Sequence, residues 1–205
     1  MVSPAIQEPT AARPSLRVRP DVHGSDGNGA VPKKISWEAF ERRYLRREDK
    51  YKYEWVDGTV VKTPRTMNQR QQFILINLQA FLDKLRTHKN LGLLLAEVDT
   101  FFGPNHRRPD IAYFSPEQVS LLRHAEQVPQ FVVEIISSKD QLNEANEKLA
   151  DYRRANVQIV WHVFPKLNEV HVYRGKKMEI CLDTDPCSAE PVIPGFVMSA
   201  KEVFM

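Results

Sequence analysis

Glu134 is an acid inside an otherwise apolar run, Phe131-Val132-Val133-Glu134-Ile135-Ile136. The β-branched and apolar neighbours on both sides describe a mostly buried strand. An acid in such a run lies on a solvent-facing edge or is buried for a reason. Asp110 has a similar setting, because it opens Asp110-Ile111-Ala112-Tyr113-Phe114 directly after Pro109. Two neighbouring strands that each place a carboxylate at one end can build a site for a hard cation. Magnesium takes oxygen ligands at about 2.1 Å and keeps several waters. Like charges held that close call for a cation to neutralise them. The plainer alternatives are a turn cap after proline for Asp110 and a surface arginine pair for Glu134.

Lys148 follows on the next helical segment, three residues after Ala145 and four before Tyr152. It therefore borders that segment's apolar stripe, and its ammonium can extend towards the strand ends. In a phosphodiester-cleaving site such a cation orients the attacking water and opposes charge developing on the phosphorus oxygens. Its plainer role is an i,i+4 partner for Glu144. Lys139 competes for the same task, because it follows the Glu134 strand more closely. Glu54, between Tyr53 and Trp55, and Glu97, between Ala96 and Val98, are further acids that could complete a carboxylate cluster. His106-Arg107-Arg108 precedes Asp110 and is the sharper candidate for phosphate contact; a solvated turn opened by Pro104-Asn105 is the alternative.

These residues need elements to hold them. Ser36 can cap a helix through Trp37–Glu48, with Trp37, Phe40, Tyr44 and Leu45 on one face. Asp57-Gly58 separates two strand-like runs and supplies a hairpin turn. Residues 69–88 are helical, with Ile74, Leu78, Phe81, Leu82 and Leu85 as a stripe. Strands are expected over 91–102, 110–114, 131–136 and 157–163, a helix over 141–154, and a hairpin around Gly175. The passage 131–163 has a βαβ pattern. The fold class is α/β, a central mixed β-sheet flanked by helices.

Composition bounds the rest. The chain has 205 residues, enough for one domain with a core, or one domain plus a tail. Residues 1–34 hold Pro4, Pro9, Pro14, Pro20 and Pro32 and no aromatic residue, and are expected to form a disordered leader; residues 35–205 are the domain. A net charge of +3 does not by itself announce a nucleic-acid binder. Cys181 and Cys187, the only two cysteines, exclude a disulfide scaffold and a cysteine-built zinc site. No apolar run reaches the roughly 20 residues of a membrane span, and the first residues lack the apolar stretch of a signal peptide. A cytoplasmic protein with no membrane partner is the expectation.

Several blocks in order are similar to a known family: Tyr53-Glu54-Trp55-Val56-Asp57-Gly58, Arg108-Pro109-Asp110-Ile111, Val133-Glu134-Ile135-Ile136-Ser137, Glu147-Lys148-Leu149-Ala150-Asp151-Tyr152, Val160-Trp161, Val170-His171-Val172-Tyr173 and Ile193-Pro194-Gly195-Phe196. Together, over residues 35–204, they resemble the Uma-type family within the PD-(D/E)xK nuclease superfamily. The resemblance implies a restriction-endonuclease-like core and a Mg²⁺-dependent endodeoxyribonuclease, with Mn²⁺ able to substitute. It implies that Asp110 and Glu134 hold the metal. The superfamily's usual lysine position is Ile136 here; the resemblance moves that role to Lys148. Glu54 matches the acid of the first block, and Tyr152 a recurrent aromatic beside the lysine. DNA is the implied partner, and a homodimer is an expectation for an enzyme that cuts both strands. Departures are Ser137-Ser138-Lys139 where the family has Ser-Pro-Ser, Asn68-Gln69-Arg70 where a histidine is common, and Val163-Phe164-Pro165 where an aspartate is common. The rival readings are a non-catalytic DNA- or protein-binding module and a structural homodimer that keep the nuclease fold.

Overall fold

Asp57 and Gly58 both take positive φ, 47° and 84°, which is the backbone a two-residue hairpin turn requires. They join β1 (Tyr51–Val56) to β2 (Thr59–Pro64) in an antiparallel pair. The computed structural model describes residues 33–64 and 69–205. The leader assigned to residues 1–34 lies outside them, apart from Lys33 and Lys34.

The remaining elements are α1 (Trp37–Phe40), α2 (Gln69–Arg86), β3 (Leu93–Ala96), β4 (Thr100–Phe102), β5 (Asn105–Arg107), β6 (Ile111–Phe114), α3 (Pro116–Leu121), β7 (Phe131–Ile135), α4 (Lys139–Arg154), β8 (Ile159–Phe164), β9 (Glu169–Arg174), β10 (Lys177–Leu182), β11 (Pro186–Ser188), β12 (Val197–Ser199) and α5 (Ala200–Phe204). A six-stranded sheet runs β10-β9-β8-β7-β6-β3. Its β7 and β8 are parallel and its other neighbours antiparallel, so it is mixed, as the βαβ pattern implies. A four-stranded sheet runs β2-β1-β5-β4, and β11 pairs with β12.

Burial follows strand alternation. One face of the large sheet gives Val133, Phe131, Ile159 and Trp161 to a core closed by Ile74, Leu78 and Leu82 of α2 and Val203 of α5. The other face gives Val132 and Val160, which meet Leu149 and Tyr152 of α4 and Phe102 of the small sheet. Each fully buried large side chain of this kind stabilises the fold by about 1.5–3 kcal/mol. Gly92 is required by close approach: a Cβ there would stand 1.7 Å from the Phe114 carbonyl oxygen. Among the described residues no helix is long and apolar enough to cross a membrane.

Three sequence expectations change. The helix expected through Glu48 is α1 followed by a π-helical turn, Glu41–Leu45. Ser36 caps it as expected, its hydroxyl accepting from the Ala39 N–H at 3.3 Å, but Phe40 is its one fully buried side chain. A helix with so little buried face is not extended by packing. The strand expected over 91–102 breaks at Glu97, whose φ is 51°, so β3 joins the large sheet and β4 the small one. Residues 105–107, for which a solvated turn was the alternative to phosphate contact, form the buried strand β5.

Candidate functional site

On β1, Lys52 and Glu54 are two residues apart, so they share a face. Both are buried, Glu54 completely. On the large sheet, the register pairing Ile111 with Val133 brings Asp110 alongside Glu134, on the face that α4 covers. Ser138 caps α4 by accepting from the Gln141 N–H at 3.2 Å, and this start aims Glu144, Lys148, Asp151 and Tyr152 at the strand ends.

The side chains converge. Lys148 Nζ stands 3.1 Å from Glu54 Oε1, 3.3 Å from Glu134 Oε2 and 3.3 Å from Glu144 Oε1. The Tyr152 hydroxyl donates to Glu134 Oε1. Lys52 Nζ donates to Asp110 Oδ1 at 3.1 Å, and the Ile135 N–H donates to Asp110 Oδ2 at 2.8 Å. Behind Glu54 lies Arg107, which donates to Glu54 Oε2 at 3.2 Å and to Asp151 Oδ2 at 2.7 Å. The Arg108 backbone N–H donates to Glu54 Oε1 at 2.8 Å. Asn105 Nδ2 donates to Asp151 Oδ1 at 3.0 Å. The ions open onto a cleft of about 210 Å³ lined by Lys52, Glu97, Asp110, Glu134, Glu144 and Lys148, among others.

Burial and neighbouring charge divide the carboxylates. Burial pushes Glu134 up to about 7, against the pull of Lys148. Burial acts the same way on Glu54, but Lys148, Arg107 and Lys52 outweigh it and hold Glu54 down at about 2. Asp110 also stays below its ordinary value, because Lys52 and Lys148 overcome its burial. Burial alone would discharge Lys148, yet Glu134, Glu54 and Glu144 keep its pKa well above the usual lysine value. Glu54 is thus a fixed anion, Lys148 a fixed cation, and Glu134 the acid whose charge is easiest to change.

A model of the Uma2 family, described as "Putative restriction endonuclease", matches residues 37–201. The chain belongs to the Uma2 family. No curated protein matches it. Among solved structures, a "putative nuclease belonging to DUF820" from Anabaena variabilis ATCC 29413 superposes with a TM-score of 0.66 at 18% identity, over 77% of this chain and 92% of that one. At that identity the likeness is one of fold, an α/β restriction-endonuclease-like architecture.

In this Uma2 chain Asp110, Glu134, Lys148, Glu54 and Tyr152 come together, and Glu97 reaches the same cleft wall. Lys139 does not; it is exposed at the first residue of α4. The His106-Arg107-Arg108 expectation is corrected, because all three are buried. Arg107 is held by Glu54 and Asp151, Arg108 pairs with Asp99, and His106 packs 4.9 Å from the Trp37 ring. A guanidinium held inside by two carboxylates is not offered to a phosphate.

Lys52, Asp151 and Asn105 are parts of the arrangement that sequence reading missed. The signal for Lys52 was its two-residue spacing from Glu54, which places both on one side of a strand. Asp151 gave no such signal, since an acid beside Tyr152 on a polar helix reads as solvated.

Among the described residues no group of three or more His, Cys, Asp or Glu side chains is arranged around a metal position. Asp110 and Glu134 nevertheless offer two adjacent carboxylates at a cleft. That donor set fits a magnesium ion that keeps most of its water, not one caged by protein.

Proposed function

We propose that this Uma2 protein is a Mg²⁺-dependent endodeoxyribonuclease that hydrolyses phosphodiester bonds of DNA, with Mn²⁺ able to replace Mg²⁺. The observation that carries the reading is the convergence of Asp110, Glu134 and Lys148 at one cleft, with the lysine supplied by α4. Asp110 and Glu134 would hold the ion. When bound, it supplies charge neutralisation for the phosphate and a water of lowered pKa.

The protein's own residues do the rest. Lys148 keeps a full positive charge beside the reacting phosphate, where it orients water and opposes the charge that builds in the transition state. Glu54 fixes that charge in place, and Arg107 and the Arg108 N–H fix Glu54. Tyr152 holds one oxygen of Glu134, leaving the carboxylate a restricted set of orientations.

The test is cleavage of mixed single-stranded and duplex DNA with Mg²⁺ or Mn²⁺, together with calorimetric Mn²⁺ titration. Asp110→Asn and Glu134→Gln should fold, lose the Mn²⁺ signal and lose cleavage. Undiminished cleavage by either folded variant removes that residue from the site.

A second reading, a non-catalytic DNA- or protein-binding module, draws on one observation: Asp110 and Glu134 are each already paired with a lysine. DNA retention with no dependence on divalent cations would favour it.

A further inference from the structure

Lys52 is a buried lysine, and its ion-pair partner Asp110 also accepts a backbone N–H at the end of β7. Asp110 uses Oδ2 to accept the Ile135 N–H at 2.8 Å and Oδ1 to accept from Lys52 at 3.1 Å. A cation entering the cleft can take Oδ1 without opening the backbone contact, and that is the oxygen Lys52 occupies. Cation and ammonium therefore compete for one atom.

A displaced Lys52 has few places to go. Its strand lies between β2 and β5, and Thr63 and Pro64 of β2 wall the same cleft. An unpaired buried ammonium is strongly unfavourable. Of the other carboxylates near the cleft, Glu54, Glu134 and Glu144 already hold Lys148. The open direction is the cleft, where a substrate would bring its own anion.

We propose that Lys52 is a further catalytic residue, the counter-ion of Asp110 in the metal-free protein and a ligand of the substrate phosphate once a divalent cation holds that carboxylate. The proposal rests on the nuclease reading above. It adds a coupling: metal uptake frees the charge that the phosphate needs, so each ligand promotes the other.

The test uses the full chain. Lys52→Met keeps most of the apolar stem and removes the charge. Without DNA, calorimetry should give Mn²⁺ binding about tenfold tighter than in the wild type, because a competing cation is gone. In Mn²⁺-dependent single-turnover cleavage, the half-saturating DNA concentration should rise and the rate constant fall by about tenfold or more, as for loss of one phosphate contact. Lys52→Arg should restore Mn²⁺ affinity to near the wild-type value.

A measurement on the wild type covers the case in which Lys52→Met does not fold. Acetylation of the Lys52 amine, read by mass spectrometry, should increase several-fold on adding Mn²⁺ and stay flat in Asp110→Asn. Unchanged or weaker Mn²⁺ affinity in Lys52→Met, or unchanged Lys52 acetylation in a wild type that does bind Mn²⁺, overturns the proposal and leaves the nuclease reading standing. A wild type that binds no Mn²⁺ overturns both.

Discussion

Glu54 on β1 and Lys148 on α4 meet at 3.1 Å inside the protein, and this ion pair ties the small sheet to the helix that covers the large one. Neither group can leave for water, since both are almost wholly buried. The charge that the proposed chemistry uses is thus also part of the packing.

Lys148→Met should therefore do two things. Single-turnover cleavage should fall by about 10²–10³, the usual consequence of losing one charge aimed at the transition state. Urea unfolding should also lose about 3–5 kcal/mol, because Glu54 and Glu134 keep their burial and lose the lysine they share. An exposed i,i+4 pair with Glu144 would have cost less than about 1 kcal/mol. A normal rate in the folded variant would remove Lys148 from the reaction.

Arg107→Leu separates interior support from phosphate contact. Its guanidinium bridges Glu54 and Asp151, so the variant should be destabilised by about 3–5 kcal/mol in denaturant titration. The dependence of DNA affinity on salt should keep its slope, since no counterion-releasing contact is removed. A slope reduced by about one would mean that Arg107 touches DNA after all.

His162 gives the protein an acid sensitivity of its own. Both ring nitrogens are buried and have no hydrogen-bond partner among the described residues, and the ring lies edge-on to Tyr173. Burial first, then the charges of His171, Arg153 and Lys148, lower its pKa to about 4. The unfolded value is about 6.5, so the folded state prefers the neutral ring. The associated stability is complete above pH 6.5 and is lost as pH falls towards 4, about 3 kcal/mol in all. His162→Phe should flatten that part of the stability curve. Equal losses between pH 7 and 4.5 in variant and wild type would assign the acid sensitivity elsewhere.

Lys139→Ala is the contrasting case. The residue is exposed at the start of α4, away from the cluster. Cleavage and Mn²⁺ affinity should stay within about twofold of wild type, as for a surface change away from special contacts. A hundredfold loss of cleavage would transfer the role given to Lys148.

Glu134 and Asp110 were legible because an acid next to β-branched residues contradicts its own surroundings. Lys148 was legible through helical spacing against Ala145 and Tyr152. Arg107 was not, because a basic triplet after Pro104-Asn105 has the composition of a solvated turn. What overrides that composition is non-local: Glu54 lies 53 residues from Arg107 and Asp151 lies 44 away. The break at Glu97 was also hidden, since its positive φ serves a strand that changes sheets, and nothing in Leu-Leu-Leu-Ala-Glu-Val marks that change. The hairpin at Asp57-Gly58 and the parallel β7–β8 pair depend on local turn chemistry and a nearby crossover helix, and both emerged as read.

The bond from the Ile135 N–H to Asp110 has a consequence for how the site can be watched. It continues the β6–β7 ladder one step past its last backbone pair, with a side chain standing in for a strand. That amide's deuterium uptake therefore reports on Asp110 directly. A ligand that leaves the Oδ2 contact in place should keep the Ile135 amide slow to exchange, whereas one that turns the carboxylate should release it. A single backbone amide thus separates ligands that turn the Asp110 carboxylate from those that take only its Oδ1, without substrate or turnover.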